Sequence, residues 1–453
     1  MQNKIHRLTR ACLLCLFLAL SACAPLIADH PLEKWTPEMD SDISKKISGD
    51  RSGELLVFLA FSGGGTRAAA FSYGVLQELA ETEVVTEKGT RALIKEVDMI
   101  SSVSGGSFTS AYYGLYGDRI FEDFETRFLR KNVEGALLLQ LLNPVNWFRL
   151  MTPSYGRGEM AASYYSKNIF DGATFANLKR PDAPLVIINA TDLPDGVRVS
   201  FTDWMFHLLC IDLNAFPVSR AVAASSAVPV LFNPIVIKNH AGICGDEPPQ
   251  WLHEAAAREE KDTIRRVNAR AYLKLADAKA RPWLHLVDGG ISDNLGLRSI
   301  FTTAKLIGNR EQALHAFGHP NVRQILIISV NAHAEQTPKW AFADAAPGIA
   351  AVIGSMSSVQ IDQYTADTLA AVRFSFERWA QEASTPEHPI RFNFVELDFE
   401  KAADEADRNY LNHIGTSFNL KDEEVDRLIA AGREILRQSM EFKAFLDANQ
   451  KSY

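Results

Sequence analysis

Four short apolar runs, with helical segments between them, constrain this fold most. They are Leu55-Leu56-Val57-Phe58-Leu59-Ala60-Phe61, Val97-Asp98-Met99-Ile100, Leu185-Val186-Ile187-Ile188 and Ile325-Leu326-Ile327-Ile328. The second carries one acid; none alternates apolar with polar. A strand with one wetted face alternates, so continuous runs of this length suit strands covered on both faces. After the first run, Phe71, Val75, Leu76 and Leu79 fall on one helical face. The alternation predicts an α/β fold with a mostly parallel central sheet between helical layers. With 47% hydrophobic residues the chain can bury a full core, which excludes a disordered chain.

Other stretches decorate this frame. Residues 131–165 hold Leu137-Leu138-Leu139, Leu141-Leu142, Trp147 and Phe148 and form one expected insertion. Residues 137–150 suit a mobile lid, a patch that dips into lipid, or a buried core helix. Residues 236–282 are charged and helical and form a second insertion. The core domain is expected over 53–335, followed by an α-rich C-terminal extension over 336–453. There the clearest helical period is Val425, Leu428, Ile429, Ile435 and Leu436.

The N-terminus reads as a signal. Lys4, Arg7 and Arg10 precede the apolar run 11–20, which is shorter than the ~20 residues a spanning helix needs. Leu20-Ser21-Ala22-Cys23 resembles a bacterial lipobox. The resemblance implies that residues 1–22 are a signal peptide and that Cys23 is diacylated at the mature N-terminus. Ala24 in place of Asp then implies outer-membrane sorting, so the expected product is a membrane-anchored lipoprotein facing the periplasm or the surface. Residues 23–52, with Pro25, Pro31 and Pro37, read as its lipidated tether. Cys12 and Cys15 leave with the signal; Cys210 and Cys244 remain, either paired or as two buried thiols. A formal net charge of -8 excludes a broad nucleic-acid-binding surface.

Three small-residue turns carry chemistry. Ser102-Val103-Ser104-Gly105-Gly106 follows an apolar run and precedes a helix-forming stretch. Serine at a tight strand-to-helix turn is a nucleophile elbow, whose pattern is GxSxG; here Ser102 stands in place of the first Gly. Gly63-Gly64-Gly65-Thr66-Arg67 lies at another strand-to-helix junction, where backbone amides converge on a phosphate or an oxyanion. The spacing excludes a P-loop and GxGxxG. Asp288-Gly289-Gly290 ends a third apolar stretch, which holds a carboxylate at the rim where open α/β sheets place their sites. The sequence has no HExxH, paired CxxC or EF-hand spacing, so no metal or other cofactor is expected.

Together the three turns resemble the patatin-like phospholipases, which carry a GGG-x-R/K loop, a serine elbow and a DG[GA] aspartate in that order. Val222-Ala223-Ala224-Ser225-Ser226-Ala227-Val228-Pro229 and Asn189-Ala190-Thr191-Asp192-Leu193 resemble two further family stretches. The resemblance covers roughly 53–335 and implies a patatin-like three-layer α/β/α fold. It also implies a Ser-Asp dyad of Ser104 and Asp288, an oxyanion hole at Gly63, Gly64, Gly65, Thr66 and Arg67, and membrane lipids as substrate. Arg67 either supports the loop, meets a lipid phosphate or makes a structural salt bridge. His285 sits three residues before Asp288, on the opposite side of any strand holding both. Two alternatives stay open: an acyltransferase of the same fold, and a non-catalytic outer-membrane lipoprotein that binds lipid or a partner.

Overall fold

The computed structural model describes residues 29–32, 34, 50–150, 155–229, 231–245, 247–257, 263–306, 321–334, 338–386 and 388–451. Its strands are β1 (Leu55–Phe61), β2 (Glu83–Thr86), β3 (Gly89–Ala92), β4 (Val97–Val103), β5 (Leu185–Asp192), β6 (Val197–Ser200), β7 (Ile235–Lys238), β8 (Trp283–Asp288), β9 (Gln324–Val330) and β10 (Arg391–Leu397). The helices that matter below are α1 (Gly65–Glu81), α2 (Gly105–Tyr116), α3 (Val133–Leu141), α4 (Pro144–Leu150), α5 (Val218–Ser225), α6 (Leu297–Leu306), α7 (Ile349–Ala383) and α8 (Asp422–Gln438). The main sheet is eight-stranded among the described residues, in the order β10-β9-β1-β4-β5-β8-β7, with β6 paired to β5. The run from β10 to β5 is parallel; β6, β7 and β8 pair antiparallel. The sheet is thus mixed and mostly parallel, with helices on both sides.

β1 shows why the run lacks alternation. Leu55, Val57, Leu59 and Phe61 point into the core beneath α1 and α2. Leu56, Phe58 and Ala60 point the other way, into the core shared with α6 and α7. All seven are buried, so neither face tolerates a polar residue.

The stretch after 335, expected as an extension, completes this sheet. β10 pairs along β9 from Arg391↔Gln324 to Leu397↔Val330. α8 packs on α1 at a close crossing: a Cβ on Gly74 would lie 2.1 Å from the Ile429 carbonyl oxygen, and one on Gly432 2.3 Å from that of Phe71. The 236–282 region likewise begins inside an edge strand, β7. The expected tether meets the body at Asp29–Leu32, where Leu32 donates to the Cys210 carbonyl at 2.8 Å and Asp212 donates to that of His30 at 2.9 Å. The Asp29 carboxylate accepts from the Lys238 amide at 2.8 Å and pairs with Arg220, which also holds buried Glu159 at 2.9 Å. Cys210 and Cys244 are joined by a disulfide. Cys23 and the signal lie outside the described residues.

Candidate active site

β4 runs straight into α2, and Ser104 is the hinge. Its backbone sits at φ 49° and ψ -119°, a conformation rare outside glycine. Such strain persists only where the surroundings fix it. Ser225, at the end of α5, does so: its Oγ accepts from the Ser104 amide at 2.8 Å and donates to the Asn189 carbonyl at 2.6 Å. The residues after the serine are small because backbone crowds them. A Cβ on Gly105 would lie 2.0 Å from the Gly65 carbonyl oxygen, and one on Gly106 2.7 Å from that of Ser62. Ser102 replaces the motif's first glycine without leaving a polar orphan. Its buried Oγ bonds the Ser110 hydroxyl at 2.6 Å and donates to the Ile187 carbonyl at 3.3 Å.

Ser104 Oγ donates to Asp288 Oδ2 at 2.8 Å. The other carboxylate oxygen, Oδ1, accepts from the Gly290 amide at 2.8 Å. The loop carrying Asp288 is pinned from two sides. Its amide donates to the Ala227 carbonyl and that of Gly289 to the Ser225 carbonyl, while Thr191 Oγ1 donates to the Asp288 carbonyl at 3.0 Å. Gly289 lies so close to β5 that a Cβ would fall 2.3 Å from the Asn189 carbonyl oxygen. Burial pushes the Asp288 carboxyl up to about 6, against the opposing effect of bonds from Gly290 and Ser104. That places a carboxylate base near neutral pH.

The glycine loop rests against this pair: a Cβ on Gly63 would lie 3.2 Å from that of Ser104. Gly64 and Gly65 take φ of 137° and 62°, which turns the chain into α1. Of the five residues expected to form the oxyanion hole, Gly63 and Thr66 have their amides occupied. Gly63 donates to the Asn294 carbonyl at 3.1 Å and Thr66 to that of Ser417 at 2.9 Å. These bonds shape the loop and remove both amides from the donor set. Arg67 is buried, with desolvation lowering its guanidinium to about 10. Its Nη1 donates to the Ile414 carbonyl at 2.5 Å, which ties the loop to the C-terminal segment. Among the described residues no hydrogen bond occupies the amides of Gly64, Gly65 and Gly105. The site thus combines a hydroxyl, a desolvated carboxylate and unspent amides at one strand edge, which is what acyl transfer through a tetrahedral intermediate requires.

Ser225, Asn189 and Asn294 carry no signal of their own in the sequence. The first two lie in the two stretches that resemble the family, and Asn294 four residues past Gly290, but a backbone-holding serine has no pattern of its own. Asp192, in the same stretch as Asn189, is taken by Arg281 at 2.6 Å. His285 is exposed, and its amide donates to Asp192 Oδ1 at 3.2 Å.

In sequence, no curated protein matches the chain. Among solved structures it is similar to human GIVD cytosolic phospholipase A2, at 12% identity and a TM-score of 0.49, covering 94% of this chain and 69% of that one. The same human enzyme in complex with methyl gamma-linolenyl fluorophosphonate matches at 13% identity and a TM-score of 0.43, covering 94% and 65%. The family model described as patatin-like phospholipase matches residues 59–301, more than half of the chain and all three turns. The chain belongs to the patatin-like phospholipase family.

Proposed function

We propose that the protein is a lipid acyl hydrolase of the phospholipase or lysophospholipase type, working through an acyl-enzyme on Ser104. The observation that carries this is the 2.8 Å bond from Ser104 Oγ to a carboxylate raised to about 6. Ser104 Oγ attacks the ester carbonyl carbon while its proton passes to Asp288. The oxygen that becomes negative is met by the free amides of Gly64, Gly65 and Gly105. Collapse breaks the bond to the alcohol, which takes the proton from Asp288. Water then attacks the acyl-enzyme, gives its proton to Asp288, and the fatty acid leaves as that proton returns to Ser104.

The strained backbone at Ser104 supports a catalytic reading over a non-catalytic lipoprotein, because strain held in place by its surroundings clusters at active sites. Water and a second alcohol would use the same base, so hydrolysis is distinguished from acyl transfer by product. Acylation of Cys23 would hold the enzyme at the membrane that contains its substrate. Among the described residues no helix is long and apolar enough to cross one. The test is fatty-acid release from phospholipid and lysophospholipid vesicles by the parent protein and by Ser104→Ala. Release by the parent alone is expected. Equal release by both overturns the assignment.

A further inference from the structure

The nucleophile lies at the C-terminal edge of the parallel strands, and two exposed apolar elements touch that edge from opposite faces of the sheet. On the first face, α3 starts beside the oxyanion loop. Glu134 accepts from Ser417 Oγ at 2.9 Å, and the Ser417 carbonyl accepts from Thr66. From there α3 and α4 expose Leu138, Leu139, Leu142 and Trp147, each more than half exposed.

On the other face the long helix α7 runs against the strands. Its C-terminal half buries Val372, Phe376 and Ala380 against β1 and β9. It ends beside Ile390, next to the N-terminal ends of β9 and β10. Near Thr368 it reaches the rim, where Thr368 accepts from Arg298 at 2.7 Å, and the Arg298 amide bonds Asp293 in the turn after Asp288. At 1.5 Å per residue, the part before Thr368 adds roughly 28 Å of helix on the N-terminal side of that rim contact. That part carries Ile349, 81% exposed, and Val359, 60% exposed, and the short turn Lys339–Phe342 beside it exposes Phe342 at 82%. Trp340, Pro347, Val352, Val359 and Tyr364 line an open groove of about 760 Å³ between turn and helix, and Asp367 is the one charged residue that lines it. The sequence from 345 to 361 contains no charged residue. An ordinary exposed helix face is charged.

The attachment point of Asp29 says which surface covers this edge. Asp29 is fixed to Lys238, which pairs with Trp283, three residues past the end of β5 on the same side as Ser104. Cys23 is six residues before Asp29, within about 20 Å at an extended rise. We propose that the N-terminal half of α7 with the turn 339–342, together with α3 and α4, is a lipid-surface docking face that flanks the active site. The face turns Ser104 toward the bilayer beside which the chain enters the domain. The proposal rests on the lipid-hydrolase reading for its choice of partner, but its test does not need turnover.

The test uses the full chain with Cys23→Ser, so that no acyl chain contributes. One variant adds Phe342→Ser, Ile349→Ser and Val359→Ser; another adds Leu138→Ser, Leu139→Ser and Leu142→Ser. Sedimentation with phosphatidylcholine vesicles, with and without phosphatidylglycerol, reads binding. Each triple is expected to weaken partition at least about tenfold and to leave kcat/KM on a soluble short-chain ester within about twofold. As a second measurement, bromolipids should quench Trp340, seen as a difference from Trp340→Phe. Unchanged partition of the α7 triple overturns the proposal. So does a dimer in light scattering that this triple splits, since a second copy would then cover the face. Vesicle binding with no hydrolysis of any ester would sink the enzyme reading and leave the docking face standing.

Discussion

Ser104 Oγ donates to Asp288 Oδ2 at 2.8 Å, and the acceptor is a carboxyl that burial has raised to about 6. The base acts only when ionised. Its raised pKa therefore moves the acid limb of activity up from near 4, where an exposed Asp would put it. We predict that kcat/KM on a soluble ester rises with pH through an apparent pKa of about 6. A limb at or below 4 would mean that Asp288 is not the base.

Asp288→Asn removes that base and also removes a desolvated charge. Turnover should fall to background. The sign for stability follows from the raised pKa: charged Asp288 costs stability above about 6 and costs none once it is protonated. The variant should be more stable than the parent at pH 8, by on the order of 1–3 kcal/mol, with the gain shrinking between pH 6 and pH 4. Chemical denaturation at three pH values checks this.

Gly105 and Gly65 meet backbone to backbone. Gly105→Ala places its Cβ against the Gly65 carbonyl, 2.0 Å away in the present geometry, so the oxyanion loop must move. We expect kcat to fall on the order of 10²–10³, the loss seen when one oxyanion donor is removed, with a small change in KM. Steady-state kinetics on a soluble ester decide it.

Ser225 acts through Ser104. Ser225→Ala takes away the acceptor of a buried amide at a strained φ, which costs about 1–3 kcal/mol. The expected outcome is a tenfold to hundredfold fall in kcat/KM, equivalent to ~1.4–2.8 kcal/mol, with the acid limb of the pH profile still near 6. Ser225→Thr should recover part of it by restoring the hydroxyl.

The close crossing of α1 and α8 makes the C-terminal segment part of the enzyme's frame. Gly432→Ala forces the helices apart where Phe71 and Gly74 now touch Gly432. A loss of about 1–3 kcal/mol is expected, read as a lower thermal midpoint. Activity per folded molecule should change little.

These residues also mark what the sequence makes legible. β1, β5 and β9 announce themselves because both faces are buried and nothing interrupts the apolar run; β4 does so despite Asp98, whose carboxylate accepts from the Val57 amide at 2.7 Å. Ser104, Asp288 and the glycine loop are visible because the chain must turn sharply at a strand end, and only small residues allow it. β10 and β7 are edge strands: Arg391 and Lys238 reach solvent, and helices flank both, so the local pattern merges with a helical tail or insertion. Which loop amides are free cannot be read from a run of glycines. It depends on Asn294 and Ser417, 231 and 351 residues further on than Gly63 and Thr66 in the chain, whose carbonyls claim two of the donors.

The central claim is that Ser104 is the nucleophile. A fluorophosphonate forms a stable adduct on an activated serine, and peptide mass spectrometry finds which serine carries it. The account predicts one adduct on the peptide containing Ser104 in the parent, none in Ser104→Ala, and labelling that slows as pH falls through about 6. An adduct on another serine, or equal labelling of Ser104→Ala, would contradict it.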